Sequence, residues 1–468
     1  MSATSESIAA ATTNEQTSLT SALVARARSI AQTPLRDDMR ELARQCVLDW
    51  VGVTLAGSRE PLVRLLRAQA REDGGNAVAT LVGDGSSASV RQAALINGAA
   101  GHAIDYDDAN VAAQGHVTAA VLPAALAIAE ARGLGGDALL RAFAAGYEIT
   151  GMVGQYVGRA HYELGFHGTS TMGSFGAAYA ASTLMALDAD ATAVALGIAG
   201  TQAGGQKAQF GTMCKPFHAG KAAENGVVGA QLAARGFTGR ADLLEAPQGF
   251  GAATTPTPDA KAAVATPAGG SHLHHNLFKY HSACYGTHAA IEAVSAIARQ
   301  HGLTPSDIEC IEIDVESGAQ RMCDIRAPRT GLEAKFSIRL NAALAIAGED
   351  TSAPATYSDA TAQRADLIAL RDRVSVRFMP AGWPYMLAEA RVRTRDGRDL
   401  AMRYDSGIPD TDLRRQRMKL ERKFMALTVP IVGIRHAQTI LRALAEIEKI
   451  EDIGSLMSML KQPSGTHS

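Results

Sequence analysis

Between His102 and Pro123 the chain reads HAIDYDDANVAAQGHVTAAVLP, setting three carboxylates (Asp105, Asp107, Asp108) and two histidines (His102, His116) among small apolar residues. Carboxylates and imidazoles are the side chains that carry protons near neutral pH. The apolar residues ahead of the stretch, Val90, Ala94, Leu95 and Ala99, predict a helix that ends near Tyr106. On such a helix His102 and Asp105 would share a face. His116 stands just before the next helix, so acid, base and a helix N-terminus are expected to converge. Taken singly, Asp107 and Asp108 equally suit a helix cap or a solvated turn.

Three other segments carry candidate residues. In QKAQFGTMCKPFHAGKAAENG, from Gln206 to Gly226, Pro216 suits a helix start. Lys215 then lies at a helix N-terminus with His218 one turn on, an arrangement that binds carboxylate or phosphate. Lys207 is a further cation in the same segment. His167 precedes a Gly/Ser/Thr loop, GFHGTSTMGSFGAA, that runs into a small-residue helix. KYHSACYGTH, from Lys279 to His288, could set His281, Cys284 or Tyr285 across a cleft, and nothing local marks Cys284 as an activated thiol. His272, His274 and His275 look like metal ligands but lack a carboxylate partner at zinc spacing, so no metal is expected. The Gly-rich parts match neither a Walker A loop nor a dinucleotide fingerprint.

The elements that position these residues are mostly helices. Two are read over Leu19 to Gln32 and Asp37 to Gly57, split by Pro34. The second carries a stripe of Met39, Leu42, Cys46, Trp50 and Val53, with Asp37 or Asp38 as cap and Gly57 as stop. Another runs from Ala138 to about Val157, and one starts at Asp188 or Asp190. Helical patterning continues to about Gly236. A Pro/Thr/Gly/Ala-rich stretch from Ala246 to His275 reads as a junction. Beyond it a helix from about Thr287 to His301 leads into alternation at Ile311, Ile313 and Val315. Further strands are expected at Arg373 to Phe378, Ala388 to Arg393 and Leu400 to Tyr404, the last two joined by an Asp396-Gly397 turn. From about Asp410 helices return. The expected fold is mainly α: a helical domain formed by both termini (18–275 and 407–468), an α+β lid domain (276–406) and a disordered tail (1–17).

The chain has 468 residues, 47% hydrophobic and 20% charged, with a net charge of -2, so neither nucleic acid nor a membrane surface is an expected partner. Five scattered cysteines without CxxC spacing suit a reducing, cytoplasmic setting. The most apolar run, Val117 to Ala129, is shorter than the roughly 20 residues of a membrane span and contains Pro123. The N-terminal tail has neither the basic region nor the apolar core of a signal peptide.

NGAAGHAIDYDD, HVTAAVLPAALAIAE, GFHGTSTMGSFGAA, FGTMCKPFHAGKAAENG, KYHSACYGTHAAIEA and EAKFSIRLNAALAIAGED resemble, in order, blocks of the MmgE/PrpD family. That family includes 2-methylcitrate dehydratases, cis-aconitate decarboxylases and iminodisuccinate epimerases. The resemblance implies a homodimer of helical bodies with α+β lids, and a cofactor-free cleft that works on small di- or tricarboxylates. It implies that Asp105, His116, His167 and Lys215 are catalytic. Asp108, Lys207, His218, His281 and Cys284 are expected to contact substrate. Three positions depart from the decarboxylase branch: Ala109 replaces a Thr, Leu340 a Tyr and Cys284 a His. A pocket that loses a hydroxyl and a phenol hydrogen-bonds different carboxylates. The expected activity is therefore a 2-methylcitrate dehydratase-like hydro-lyase, with epimerase and then decarboxylase as alternatives. The base is His116 or His167, and the acid is the other His or a protonated Asp105. A non-catalytic organic-acid binder is a further alternative. A metal hydrolase using Asp105, Asp108 and His116 is weaker.

Overall fold

The structure, a computed structural model, describes residues 18–461 except Ala381 and Tyr385. The tail expected to be disordered lies outside the described residues. Within them are twenty α-helices, a four-stranded sheet and two two-stranded ones, so the fold is mainly α. The first two helices are Leu19–Gln32 and Asp37–Gly57, and the stripe from Met39 to Val53 is buried. Asp37 and Asp38 do not cap the second; they sit in its first turn behind Arg36, where their charge still suits the helix dipole. The helix before the Asp-rich turn, Val90–His102, stops short of Tyr106. Asp105 has φ 52, a left-handed conformation that Asp enters more readily than most residues. His102 and Asp105 therefore share no helical face. The turn, not the helix, brings them together.

Helices Val90–His102, Val117–Ala131, Gly136–Glu163, Gly168–Leu184 and Cys214–Ala233 form the centre of the helical body. Every residue from Val117 to Ala129 is buried, as befits a helix surrounded by others. Small residues allow the close packing. A Cβ on Gly220 would lie 2.2 Å from the Leu95 carbonyl oxygen, so Cys214–Ala233 rests backbone to backbone on Val90–His102. Helices Leu413–Val432, Ile434–Ala445 and Ile453–Met459 return to the same core, adding Leu420, Phe424, Ile440 and Leu456 to Trp50, Leu122 and Phe143.

A second core lies under the sheet, whose order is Val374–Met379, Ile308–Glu316, Leu387–Thr394, Asp399–Asp405. The first pair is parallel and the others antiparallel. Gly397, with φ 87, closes the hairpin. Helices His288–His301 and Ile338–Ile346 pack with it, burying Ile311, Ile313, Ala388, Ala390 and Leu340. The stretch read as a junction is built into the body: Phe250, Ala263 and Leu273 are core residues. The three histidines at its end diverge. His272 packs under Gly151, His274 Nε2 lies 3.0 Å from Asp38, and His275 Nε2 lies 2.9 Å from the Ala268 carbonyl. No described helix is long and apolar enough to cross a membrane.

Candidate active site

Three helix N-termini and one C-terminus meet at a single point. His102 ends its helix, while His116 and His167 occupy the N-cap positions of Val117–Ala131 and Gly168–Leu184. Lys215 is in the first turn of Cys214–Ala233. The His116 backbone N–H donates to Thr169 Oγ1 at 2.9 Å, tying the two histidine-bearing helix starts together. Gly115 makes this approach possible, since a Cβ there would stand 2.5 Å from the Thr169 nitrogen. Helix N-termini carry partial positive charge, so the point where they meet favours anions.

At that point Asp105 Oδ1 lies 2.7 Å from Lys215 Nζ and 3.1 Å from Lys279 Nζ. Lys279 also donates to the Asp105 carbonyl at 2.6 Å. His116 Nε2 is 3.9 Å from the same carboxylate oxygen. Desolvation by the surrounding protein opposes ionisation of Asp105, although its side chain is 54% exposed, but Lys279 and Lys215 outweigh it and hold the carboxyl well below its usual range. Burial likewise pulls Lys279 down, and Asp105 and Asp107 more than reverse that, so it stays an ammonium.

Asp107 sits behind the two rings. Its carboxylate is 2.9 Å from His102 Nδ1 and 3.1 Å from His116 Nδ1, the latter off the line of a hydrogen bond. Burial opposes its charge, but His102 and His116 keep it ionised. A carboxylate beside both Nδ1 atoms favours Nδ1–H on each ring and leaves each Nε2 bare. Burial pushes His102 down to about 4, so it is neutral. Its Nε2 is buried and without a partner. The His102 ring is tilted against that of His116, centroids 4.4 Å apart, and stacks on that of His167 at 5.9 Å. His167 Nδ1 is 3.1 Å from His218 Nδ1, and burial holds both rings in the neutral form. Phe210 closes the edge, its ring 4.9 Å from His167.

The structure thus gathers Asp105, His116, His167, Lys215 and His218. It does not gather the other expected contacts. Asp108 points into the helical body, accepting from Thr118 Oγ1 at 2.6 Å and Asn276 Nδ2 at 2.9 Å. Lys207 lies over the Tyr162 ring and donates to the Tyr162 carbonyl at 2.8 Å, which uses its charge. His281 is turned to Thr351 and Glu292. It lines a neighbouring cavity of about 30 Å³, room for only a water or two. Cys284 faces Cys323. Asp107, read singly as a cap or a solvated turn residue, is neither: it is 1% exposed.

Lys279 and Lys423 carry roles that their local sequence does not announce. Lys423 Nζ, 1% exposed, donates to the carbonyls of Tyr106 at 2.6 Å and Lys279 at 2.9 Å and pairs with Asp49 at 2.5 Å. One ammonium thus ties together the two segments that carry Asp105 and Lys279. Its sequence signal is a lysine on the buried stripe Gln416, Leu420, Phe424 and Leu427. Lys423→Met is expected to destabilise the fold by about 3–5 kcal/mol in urea unfolding, because Asp49 is left as an uncompensated buried charge. The double variant Asp49→Leu/Lys423→Met should recover most of the loss; a double variant as unstable as the single one would refute this account.

Burial and the charge of Asp49 push Asp108 up to about 7. A carboxyl raised in the folded state holds its proton there after the unfolded chain has lost it. Its contribution favours folding below the ordinary carboxylate range and falls as pH rises from about 4 to about 7. Asp108→Asn is expected to flatten that fall, by about 1.4 kcal/mol for each pH unit of the raised interval. Urea midpoints across this range check it, and an unchanged slope would count against it.

His102, Asp105, Asp107 and His116 could supply four ligand atoms within 4.8 Å of one another. A divalent cation held by them would share Asp105 Oδ1 with two ammonium groups, which opposes a metal at this point. The arrangement suits proton transfer beside a bound carboxylate.

The MmgE/PrpD N-terminal domain matches residues 21–263 and the MmgE/PrpD C-terminal domain residues 281–449. The chain is 26% identical over 445 residues to the cis-aconitate decarboxylase of Homo sapiens, covering 92% of each chain. It is 26% identical over 451 residues to that of Mus musculus, covering 92% of this chain and 91% of the relative. It is 31% identical over 284 residues to a cis-aconitate decarboxylase-like protein of Aspergillus oryzae, covering 56% of this chain and 58% of that one. With both halves matched in order around the histidine–aspartate–lysine cluster, the chain belongs to the MmgE/PrpD family.

Proposed function

We propose that the protein is a cofactor-independent lyase that removes a proton next to a carboxylate of a small tricarboxylate and expels a β-hydroxyl, a hydro-lyase of the 2-methylcitrate dehydratase type. One observation carries the reading: Lys215, Lys279 and His116 Nε2 converge on a single carboxylate oxygen, that of Asp105. A substrate carboxylate that takes over these ammonium groups brings its α-carbon to His116. The ammonium groups then stabilise the charge that builds on the carboxylate as the proton leaves. His116 takes the proton on Nε2, and Asp107 stabilises the imidazolium, as paired carboxylates do. When His218 donates its Nδ1–H, His167 carries its own proton on Nε2 and can hydrogen-bond the departing hydroxyl, which leaves as water with the proton that His116 took up. The base and the donor to the hydroxyl are thus histidines in opposite tautomers.

Decarboxylation of cis-aconitate is the second reading, favoured by relatives of that name over 92% of the chain. Of the departures from that branch, Leu340 is fully buried in the sheet core, so Ala109 and Cys284 are the stronger arguments against it. Proton NMR in D₂O with 2-methylcitrate, citrate, cis-aconitate and iminodisuccinate separates the readings. A new olefinic signal from a hydroxy acid supports the hydro-lyase. Loss of a carboxylate from cis-aconitate alone supports the decarboxylase, and deuterium exchange without olefin supports an epimerase. Binding without exchange or reaction would leave an organic-acid binder. The homodimer is part of the same proposal, and light scattering on the eluting protein checks it.

A further inference from the structure

Cys284 and Cys323 stand with their sulfurs 3.2 Å apart, Cys323 donating its S–H to Cys284. Cys284 lies on the loop after Lys279 and is partly exposed, whereas Cys323, at the end of the short helix Ala319–Cys323, is fully buried. Gly286 makes the approach possible, since a Cβ there would sit 3.0 Å from the Cys323 sulfur. Cys46, Cys214 and Cys310 are also free thiols. We propose that Cys284 and Cys323 are a reactive dithiol that hydrogen peroxide converts to an intramolecular disulfide on the loop that follows Lys279.

The two sulfurs need to close by only about 1.2 Å to reach the bond length of a disulfide, within reach of a loop adjustment. The accessible sulfur is the one placed to react first. The Cys323 S–H bond draws the Cys284 thiol down and Lys279 adds to this, so thiolate is available near neutral pH. Cys284 thiolate attacks the peroxide, forming the sulfenic acid and releasing hydroxide. Cys323 loses its proton and its sulfur attacks the sulfenic sulfur; the S–S bond forms and hydroxide leaves. Together the two thiols give two electrons and two protons, hydrogen peroxide is reduced, and two waters result. A dithiol reagent reverses the change by exchange.

The linked state would draw the Cys284 loop toward Cys323. That loop follows Lys279, and the Cys284 N–H is bonded to the Lys335 carbonyl at 2.9 Å. Slower turnover is therefore expected of the oxidised protein, a consequence that rests on the proposed function; the disulfide itself does not.

The test treats the full chain with a small excess of hydrogen peroxide and maps peptides without reduction. The expected result is a mass loss of about 2 Da, peptides containing Cys284 and Cys323 joined, and reversal by dithiothreitol. Cys323→Ser, which lies outside the cluster of lysines and histidines, should fold normally and trap the Cys284 sulfenic acid for dimedone labelling. Absence of the joined peptides, with both thiols still titratable or oxidised only beyond sulfenic acid, would overturn the proposal. Joined peptides with unchanged turnover would leave the dithiol standing and refute only its effect on turnover.

Discussion

Replacing His116 by alanine is expected to lower kcat by about 10³-fold, the middle of the range for loss of a positioned general base. The fold should survive. The side chain is partly exposed, and the hydrogen bond from this position to Thr169 comes from the backbone. KM should change little, because the proposed carboxylate contacts of Lys215 and Lys279, which here hold Asp105, do not involve His116. Steady-state kinetics on the substrate identified by NMR, with circular dichroism as a control, check this. Near-full turnover would move the base to His167, whose ring stacks on His102 at 5.9 Å.

Asp107→Asn is expected to slow turnover by about 10²–10⁴-fold. The carboxylate lies against the Nδ1 atoms of two rings, while an amide offers one acceptor oxygen and one NH₂. One ring must then take the Nε2–H tautomer, and if that ring is His116 the base is lost. The pH profile separates this from a packing defect. Removing an anion beside His116 disfavours the imidazolium, so the acid limb of kcat/KM should move to lower pH. A variant with wild-type turnover and an unmoved acid limb would show that Asp107 is only a buried structural carboxylate.

Much of the fold was legible in the chain. Helices Leu19–Gln32 and Asp37–Gly57 follow from the split at Pro34 and the apolar stripe that ends at Gly57, and the strands from alternation around Ile311 and Ala388. The end of Val90–His102 was not legible, because apolar spacing does not reveal that Asp105 will adopt a left-handed conformation. Nor was the cap of Asp37–Gly57, since Asp37 and Asp38 suit the first turn as well as the N-cap.

Within the candidate site, His116, His167, Lys215 and Asp105 could be picked out because each stands at a helix terminus or turn marked by Gly, Pro or Asp. Lys207 and Asp108 bear the same local marks and went elsewhere. Lys207 is drawn off by the Tyr162 ring and Asp108 by Thr118 and Asn276, partners that residue spacing does not specify.

The sequence by itself determined the element types, the small-residue packing and the presence of protonatable groups at helix starts, because periodicity, Gly and Pro act over a few residues. Only the tertiary structure decided which charges meet. Asp105 is joined to a lysine 110 residues away and to another 174 away, and the Tyr106 carbonyl to Lys423 at 317. Those pairings depend on where the buried helices come to rest. That follows from burying apolar faces across the whole chain, a global requirement that no local pattern contains.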